Sequence, residues 1–435
     1  MVFVQSHNNK MLMPCSARKA RLLLSSNKAI ISDYKNFTIK LNYNTTNFCQ
    51  TTTIAVDTGA KFLGIILRNG KNILLARQVK LRTDISSLLT TRRILRRARR
   101  NKLRYRQPRF LNRTKSKQSG WLPPSIQSRV NNTINMIYNL IAKLPQYELI
   151  IEVGNFDVQK MKNPAINGKE YQQGEMAGFN EIKEFVLTRD NYTCKHKQCD
   201  HTDKKLQVHH IQFRSNGGSD KPDNLITLCK TCHSNLHSGL IDDKFKKVAN
   251  YKEPPFMNSL KTRLQKHYIN ATFCFGYQTK TTRQEMQLPK SHINDAIAIS
   301  FYNCDKITNL NFPKINEYVI QVRIKKRSLH EQTARKGYKT KNTTQKRNNK
   351  NVNQVNEYKI GSTVRFRCKF GYISGFTGKS AYIKDINDNY ITEDNKSYKQ
   401  ISLKKLNLIC YNNGWVKFNH NLSPHLAKPE VGDFL

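Results

Sequence analysis

Between Cys194 and His237 the chain reads CKHKQCDHTDKKLQVHHIQFRSNGGSDKPDNLITLCKTCHSNLH, and this stretch restricts the fold more tightly than any other. Two cysteine pairs, Cys194/Cys199 and Cys229/Cys232, bracket a His-His dipeptide at His209 and His210. Asn224 precedes the second pair, and His233 and His237 follow it. Four thiolates suit tetrahedral Zn²⁺, which favours soft ligands and closes a small segment that lacks a core of its own. The bracketed His, Asn and His remain for chemistry. The same residues also allow a purely structural zinc ribbon whose histidines are satisfied by hydrogen bonds.

The order HH, GG, DNL and CxxCH resembles an HNH nuclease module of the ββα-metal type with a structural zinc knuckle. One departure is the first pair, which is C-x4-C where C-x2-C is commoner. Phosphodiester hydrolysis needs a base for water near neutral pH, and an imidazole with an ordinary pKa of about 6.5 suits that task. It also needs a hard cation to neutralise charge building on the phosphate and the leaving oxygen. The resemblance implies that His210 is the general base. It further implies that His209 binds catalytic Mg²⁺ where many relatives carry Asp, that Asn224 orients the base loop or assists the metal, and that His233 is a further candidate ligand.

The 435 residues suffice for two to four domains. Lys and Arg number 75 against 30 Asp and Glu, a formal charge of +45, which points to a polyanionic partner. A membrane surface is the competing partner, but no apolar run approaches the roughly 20 residues a spanning helix needs. MVFVQSHNNK turns polar too soon for a secretory signal, so the chain is expected not to be secreted and its ten cysteines to be reduced. Frequent Asn, Lys and Ile suggest an AT-rich genome, either a bacterial cytoplasm and nucleoid or an organelle such as a chloroplast. No GxxxxGK[ST] phosphate loop is present, which argues against an ATP-driven motor.

Three separated segments carry carboxylates at expected element ends. TTTIAVDTGAKFLGIIL reads as a buried strand ending at Asp57, a turn at Thr58-Gly59 and a second apolar strand. Alone, that aspartate could mark only a turn. Another apolar strand, Glu148 to Val153, carries Glu152 near its end, and SHINDAIAIS places His292 and Asp295 one helical turn apart. In that order these motifs resemble a RuvC, RNase H-like site interrupted by the HNH insertion. The resemblance implies that Asp57, Glu152 and Asp295 hold Mg²⁺, with His292 beside them, for in-line attack on a phosphate.

Between the first two motifs, nine arginines fall from Arg92 to Arg109. Leu, Arg and Ala favour a helix from about Leu88 to Tyr105, but its apolar stripe is narrow and its like charges repel. A phosphate backbone would relieve that repulsion, whereas a solvated basic helix or a disordered arm would leave it. The segment resembles the arginine-rich bridge helix of the IscB family, the transposon-encoded RNA-guided nucleases related to type II CRISPR effectors. Arg92, Arg93, Arg96, Arg97, Arg99, Arg100 and Arg104 are the expected nucleic-acid contacts. Leu12-Met13-Pro14 with Lys19-Ala20-Arg21-Leu22-Leu23 resembles the N-terminal PLMP-type domain of that family. The Gln-Lys-Met, Asn-Pro, Ile-Asn-Gly and Tyr-Gln-Gln-Gly series after Glu152 resembles its linker into HNH.

The expected organisation is an α/β chain. A PLMP-like domain (1–50) precedes RuvC part I (51–90), the bridge helix (91–113), RuvC part II (114–160) and a linker (161–180). The HNH zinc module (181–245), RuvC part III (246–324), a basic linker (325–356) and a C-terminal β-barrel-like domain (357–435) follow. The resemblance implies an RNA-guided endonuclease, monomeric as a ribonucleoprotein, with guide RNA and double-stranded DNA as partners. In it HNH cuts the guide-paired strand and RuvC the displaced one. Two other readings fit the residues: a protein-only HNH homing or mobile-element endonuclease, and a non-enzymatic nucleic-acid binder.

Overall fold

A computed structural model describes residues 1–34, 37–46, 48–101, 118, 120–162, 164–168, 171, 176, 178–199, 205–213, 218, 220–241, 245, 253–302, 316–322, 353–393, 398–411 and 414–420. They fall into two units, Met1–Gly154 with Phe256–Leu435, and Asn155–Pro255. The architecture is mixed α/β.

The chain opens with β1 (Val2–Gln5), β2 (Met11–Cys15), α1 (Ala17–Ser25), β3 (Ala29–Asp33) and β4 (Thr38–Leu41). These strands form a four-stranded sheet ordered β2-β1-β4-β3. Ser16 starts α1 by accepting a hydrogen bond from Lys19 N, as an N-cap serine does. Ala20 of α1 packs with Val2, Val4, Ile39 and Leu41 in a small core of its own.

Next come β5 (Thr52–Thr58), β6 (Phe62–Asn69), β7 (Asn72–Lys80), α2 (Ile85–Asn101), α3 (Pro124–Ile141) and β8 (Tyr147–Glu152). Unit two holds α4 (Val158–Lys162), α5 (Ile182–Arg189), β9 (Leu206–His210), β10 (Leu225–Cys229) and α6 (Lys230–His237). After it run α7 (Glu253–His267), β11 (Thr272–Cys274), α8 (Gly276–Glu285), α9 (His292–Ser300) and β12 (Asn316–Gln321). The last strands are β13 (Gln354–Val355), β14 (Tyr358–Lys359), β15 (Thr363–Phe366), β16 (Lys369–Thr377), β17 (Ser380–Lys384), β18 (Gln400–Ser402), β19 (Asn407–Cys410) and β20 (Trp415–His420).

Seven strands form the main sheet, in the order β11-β8-β5-β6-β7-β12-β20. β6 runs antiparallel to both neighbours, while β8 is parallel to β5 and β11. Strand alternation divides its two faces. Ile54, Val56, Leu63, Ile65, Leu149 and Ile151 pack with Ile137 and Leu140 of α3 and with Leu260 and Leu264 of α7. Ala55, Ile66, Ala76 and Ile150 face the other way, onto Ile293, Ala296 and Ile297 of α9. Small residues on that second face let α9 lie close: a Cβ on Gly64 would stand 1.8 Å from His292 O.

The C-terminal strands build an antiparallel sheet ordered β18-β17-β16-β15-β19, with a 3₁₀ turn at Leu403–Lys405 before β19. Its core comprises residues such as Val364, Ile373, Ile383 and Ile401. One strand departs from the expected organisation. Trp415–His420 was expected within the C-terminal domain, but β20 pairs antiparallel with β12 at the edge of the main sheet. Val416 and Phe418 are buried there with Ile320 and Tyr372, an apolar gain that a solvated tail would forgo. The smaller sheet is thus an insertion between two adjacent strands. It is anchored by Asp388, which accepts hydrogen bonds from Lys80 Nζ at 2.7 Å and Tyr372 OH at 2.6 Å. The basic tract 325–352 lies outside the described residues. Among the described residues no helix is long and apolar enough to cross a membrane.

Candidate functional site

Unit two is a β-hairpin closed by helices. β9 and β10 pair antiparallel, with Ile226 opposite His209 and Leu225 opposite His210. α5 is clipped to them at its C-terminal end: Arg189 donates to Pro222 O and Leu225 O, each at 2.9 Å, and Thr227 N donates to Asp190 Oδ2 at 2.9 Å. The local core is small and includes Leu228, Leu236 and the cysteines. Such a core is the kind that a metal completes.

Among the described residues, three or more ligand atoms converge within 4.8 Å in two places. The first is Cys194, Cys199, Cys229 and Cys232, all four of the expected zinc ligands. Cys229 also caps α6, its Sγ accepting from Cys232 N at 3.3 Å, so the second pair is set by the start of that helix. This donor set fits structural Zn²⁺.

The second place gathers His209, His233 and His237. Their rings meet edge to face, with centroids 5.1 Å apart for His209–His233 and 4.5 Å for His233–His237. His209 is 2 % exposed and its Nε2 is buried without a hydrogen-bond partner. Burial, reinforced by His233 and His237, pushes its pKa down to about 4, so its ring is neutral and keeps a lone pair for a metal. An orphaned imidazole nitrogen facing two others fits a divalent ion. The motif did not mark His237 as a ligand. Its signal was the four-residue spacing from His233 on one helix, which brings both rings to one face.

Adjacent residues of β9 point to opposite sides, so His210 leaves this cluster and bonds Asp220 through Nε2 at 2.8 Å. Asn224 is buried and holds the intervening loop: Gln212 N donates to its Oδ1 at 2.9 Å, and its Nδ2 donates to Gln212 O at 3.0 Å. It ties Gln212, just beyond β9, to the start of β10 and is not among the converging ligands.

In unit one, strand parity brings Asp57 and Glu152 to the α9 face, because each sits one step beyond a residue packed on the opposite face. His292 Nδ1 donates to Asp57 Oδ2 at 2.6 Å. Thr58 Oγ1 donates to Glu152 O at 2.7 Å and ties the two strand ends together. Asp295 lies one turn along α9 from His292, with Arg283 Nε 2.7 Å from its Oδ1. Burial and then Asp57 raise Glu152 to about 8, and the same two causes raise Asp295 to about 6. Glu152 Oε2 is buried with no hydrogen-bond partner. Crowded, desolvated acids of this kind suit bound cations. Arg283 is the residue here that the motifs did not announce.

α2 carries Arg92, Arg93, Arg96, Arg97, Arg99 and Arg100. Arg92 and Arg93 are exposed on it. Arg96, Arg97, Arg99 and Arg100 lie within its helical span, their side chains outside the described residues, and Arg104 lies outside them altogether.

Two family models match the chain. The model described as RRXRR protein matches residues 2–174, and that of the HNH endonuclease matches residues 193–239. The first match includes Arg96-Arg97-Ala98-Arg99-Arg100 within α2. An arginine-rich RRXRR region ahead of an HNH domain is the arrangement found in IscB and related proteins. The chain's domain order is that of the IscB-type architecture. No curated protein matches the chain. The HNH domain makes this chain a DNA endonuclease, and its zinc-type cysteines and histidine cluster both fall within the HNH match.

Proposed function

We propose that this IscB-type chain is an RNA-guided endonuclease that cuts both strands of DNA, each at its own site. The observation that carries this reading is the assembly of Asp57, Glu152, His292 and Asp295 from three distant segments on one face of the main sheet, outside the HNH domain. The strand order β7-β6-β5-β8-β11, with β6 alone reversed, supports an RNase H-like RuvC domain. A five-stranded order with a 3₁₀ turn before the last strand supports an SH3-like C-terminal barrel. Exposed arginines on α2 support a bridge helix lying on a phosphate backbone.

His210 is the general base for the guide-paired strand, and Asn224 shapes the loop beside it. His209, His233 and His237 hold the divalent ion of that site. Three imidazoles favour a borderline ion such as Mn²⁺ or Zn²⁺ over the Mg²⁺ expected from the motif. The carboxylates of Asp57, Glu152 and Asp295 suit a pair of Mg²⁺ for the displaced strand. Bound cations supply charge neutralisation at the phosphate in both places. Arg283 holds Asp295 in place, and His292 holds Asp57.

The test is strand-specific loss. With RNA that co-purifies and a DNA duplex matching it, His210→Ala should spare only the cut in the displaced strand, and Asp57→Ala only the cut in the paired strand. Each should lose about 10²–10⁴-fold in rate at its own site with DNA binding intact. One variant abolishing both cuts, or cutting that needs no RNA, would overturn the reading.

A further inference from the structure

His210 and His209 are neighbours on β9 with different surroundings. The partner of His210 is an acid: its Nε2 lies 2.8 Å from Asp220 Oδ1. Asp220 lies between β9 and β10, and the described residues around it bring it back to the strand. Asn224 closes the base through its paired hydrogen bonds to Gln212. Gly218 closes the middle, with its N donating to Phe213 O at 3.0 Å. A Cβ on Gly218 would lie 1.8 Å from Gln212 O and 3.0 Å from Asn224 Nδ2, so a side chain there would hold the loop open.

We propose that Asp220 is a positioning residue for hydrolysis, fixing His210 in the tautomer protonated at Nε2, so that Nδ1 takes the proton from the attacking water. This rests on the general-base role given to His210 above. An ionised carboxylate only accepts hydrogen bonds, so Nε2 is the donor in the pair. A neutral imidazole protonated at Nε2 keeps its lone pair on Nδ1. Water gives a proton to Nδ1, its oxygen forms the new bond to phosphorus, and the bond from phosphorus to the sugar oxygen breaks. The sugar oxygen takes a proton from solvent, and His210, now an imidazolium, later returns its extra proton to solvent. Asp220 stabilises that imidazolium by charge without accepting the proton, as the aspartate of a serine-protease triad does.

The experiment uses ¹⁵N-histidine-labelled full-length protein, with the His210 signals identified by their loss in His210→Gln. Wild type should show the Nε2–H tautomer, and Asp220→Ala a mixture of both. Cutting of the guide-paired strand in a DNA duplex matching the co-purified RNA, with Mn²⁺, supplies the second readout. Asp220→Ala should lower kcat about 10–100-fold, in the range for site histidines deprived of their supporting partners, with KM nearly unchanged. Asp220→Glu should recover part of the loss. Asp220→Asn keeps the loop's shape but can donate to Nε2, and should be the slowest. Retained zinc in each variant shows that the module is folded. A wild-type Nδ1–H tautomer, or Asp220 variants with wild-type tautomer and kcat, would overturn the proposal. An unchanged rate in His210→Ala would instead remove the general-base role beneath it, and the tautomer data distinguish that failure from the first.

Discussion

Cys232 and His233 are consecutive residues of α6, yet they belong to different clusters, one of four thiols and one of three imidazoles. The helix start is held by Cys229, itself one of the four, so the direction of His233 and His237 depends on the cysteine cluster being closed. The two candidate metal clusters therefore share a single helix.

Metal analysis should show an asymmetric dependence. Cys232→Ser should lose the zinc and, with it, any ion at the histidines, because structural zinc contributes about 10–16 kcal/mol of apparent binding energy in small modules. His237→Ala should lose only the second ion. A Cys232→Ser protein that still binds metal at the histidines would contradict the shared-helix argument.

Gly64 faces α9 at a distance that leaves no space for a side chain. Gly64→Ala would place a Cβ 2.5 Å from His292 C and closer still to its carbonyl oxygen. The N-terminus of α9 must then move, carrying His292 and Asp295 with it. A loss of at least about 1–3 kcal/mol of stability is expected, as for other overpacked cores, with zinc in unit two retained. Thermal unfolding and zinc content measured together would check this; a wild-type melting temperature would refute it.

Acid–base behaviour of the metal-free protein should expose Glu152. Its folded pKa, about 8, lies above the ordinary carboxylate value of 4.5, with burial as the leading cause. The folded state therefore holds this proton more tightly than the unfolded chain. That contribution is fully present below pH 4.5 and is lost as pH rises towards about 8. Asp295 adds a loss in the same direction up to about 6. Glu152→Gln, which cannot ionise, should show a shallower decline of melting temperature between pH 5 and 8. Equal slopes for the two proteins would count against a buried, raised acid.

The arginine helix should be read out by salt. Replacing Arg93, Arg96, Arg97 and Arg100 with Gln should weaken RNA binding whatever the RNA sequence. It should also flatten the dependence of log affinity on log salt, by roughly 0.7–0.9 for each phosphate left without its arginine. Binding to RNA alone and to DNA alone over a salt series makes the comparison. Unchanged RNA affinity with weakened DNA affinity would favour a protein-only nuclease.

Local chemistry carried a large share of this protein in its sequence. Metal spacing is short-range, so Cys194, Cys199, Cys229 and Cys232 could be grouped before any fold was known, and they do converge. Apolar runs are likewise local, so the strands ending near Asp57 and Glu152, and the helix bearing His292 and Asp295, were legible from pattern alone. Which side chains meet was a matter for the tertiary structure. His237 joins a cluster only because α6 packs beside β9, and Asp220 reaches His210 only because Gly218 and Asn224 fold the loop back. Arg283 finds Asp295 across two helices, and Arg77 finds Glu317 across 240 residues, its Nη2 2.6 Å from Oε2. β20 leaves its sequence neighbours for the edge of a sheet begun more than three hundred residues earlier. Periodicity specifies the face that a residue presents, whereas the partner on that face is selected by burial and pairing summed over the whole chain.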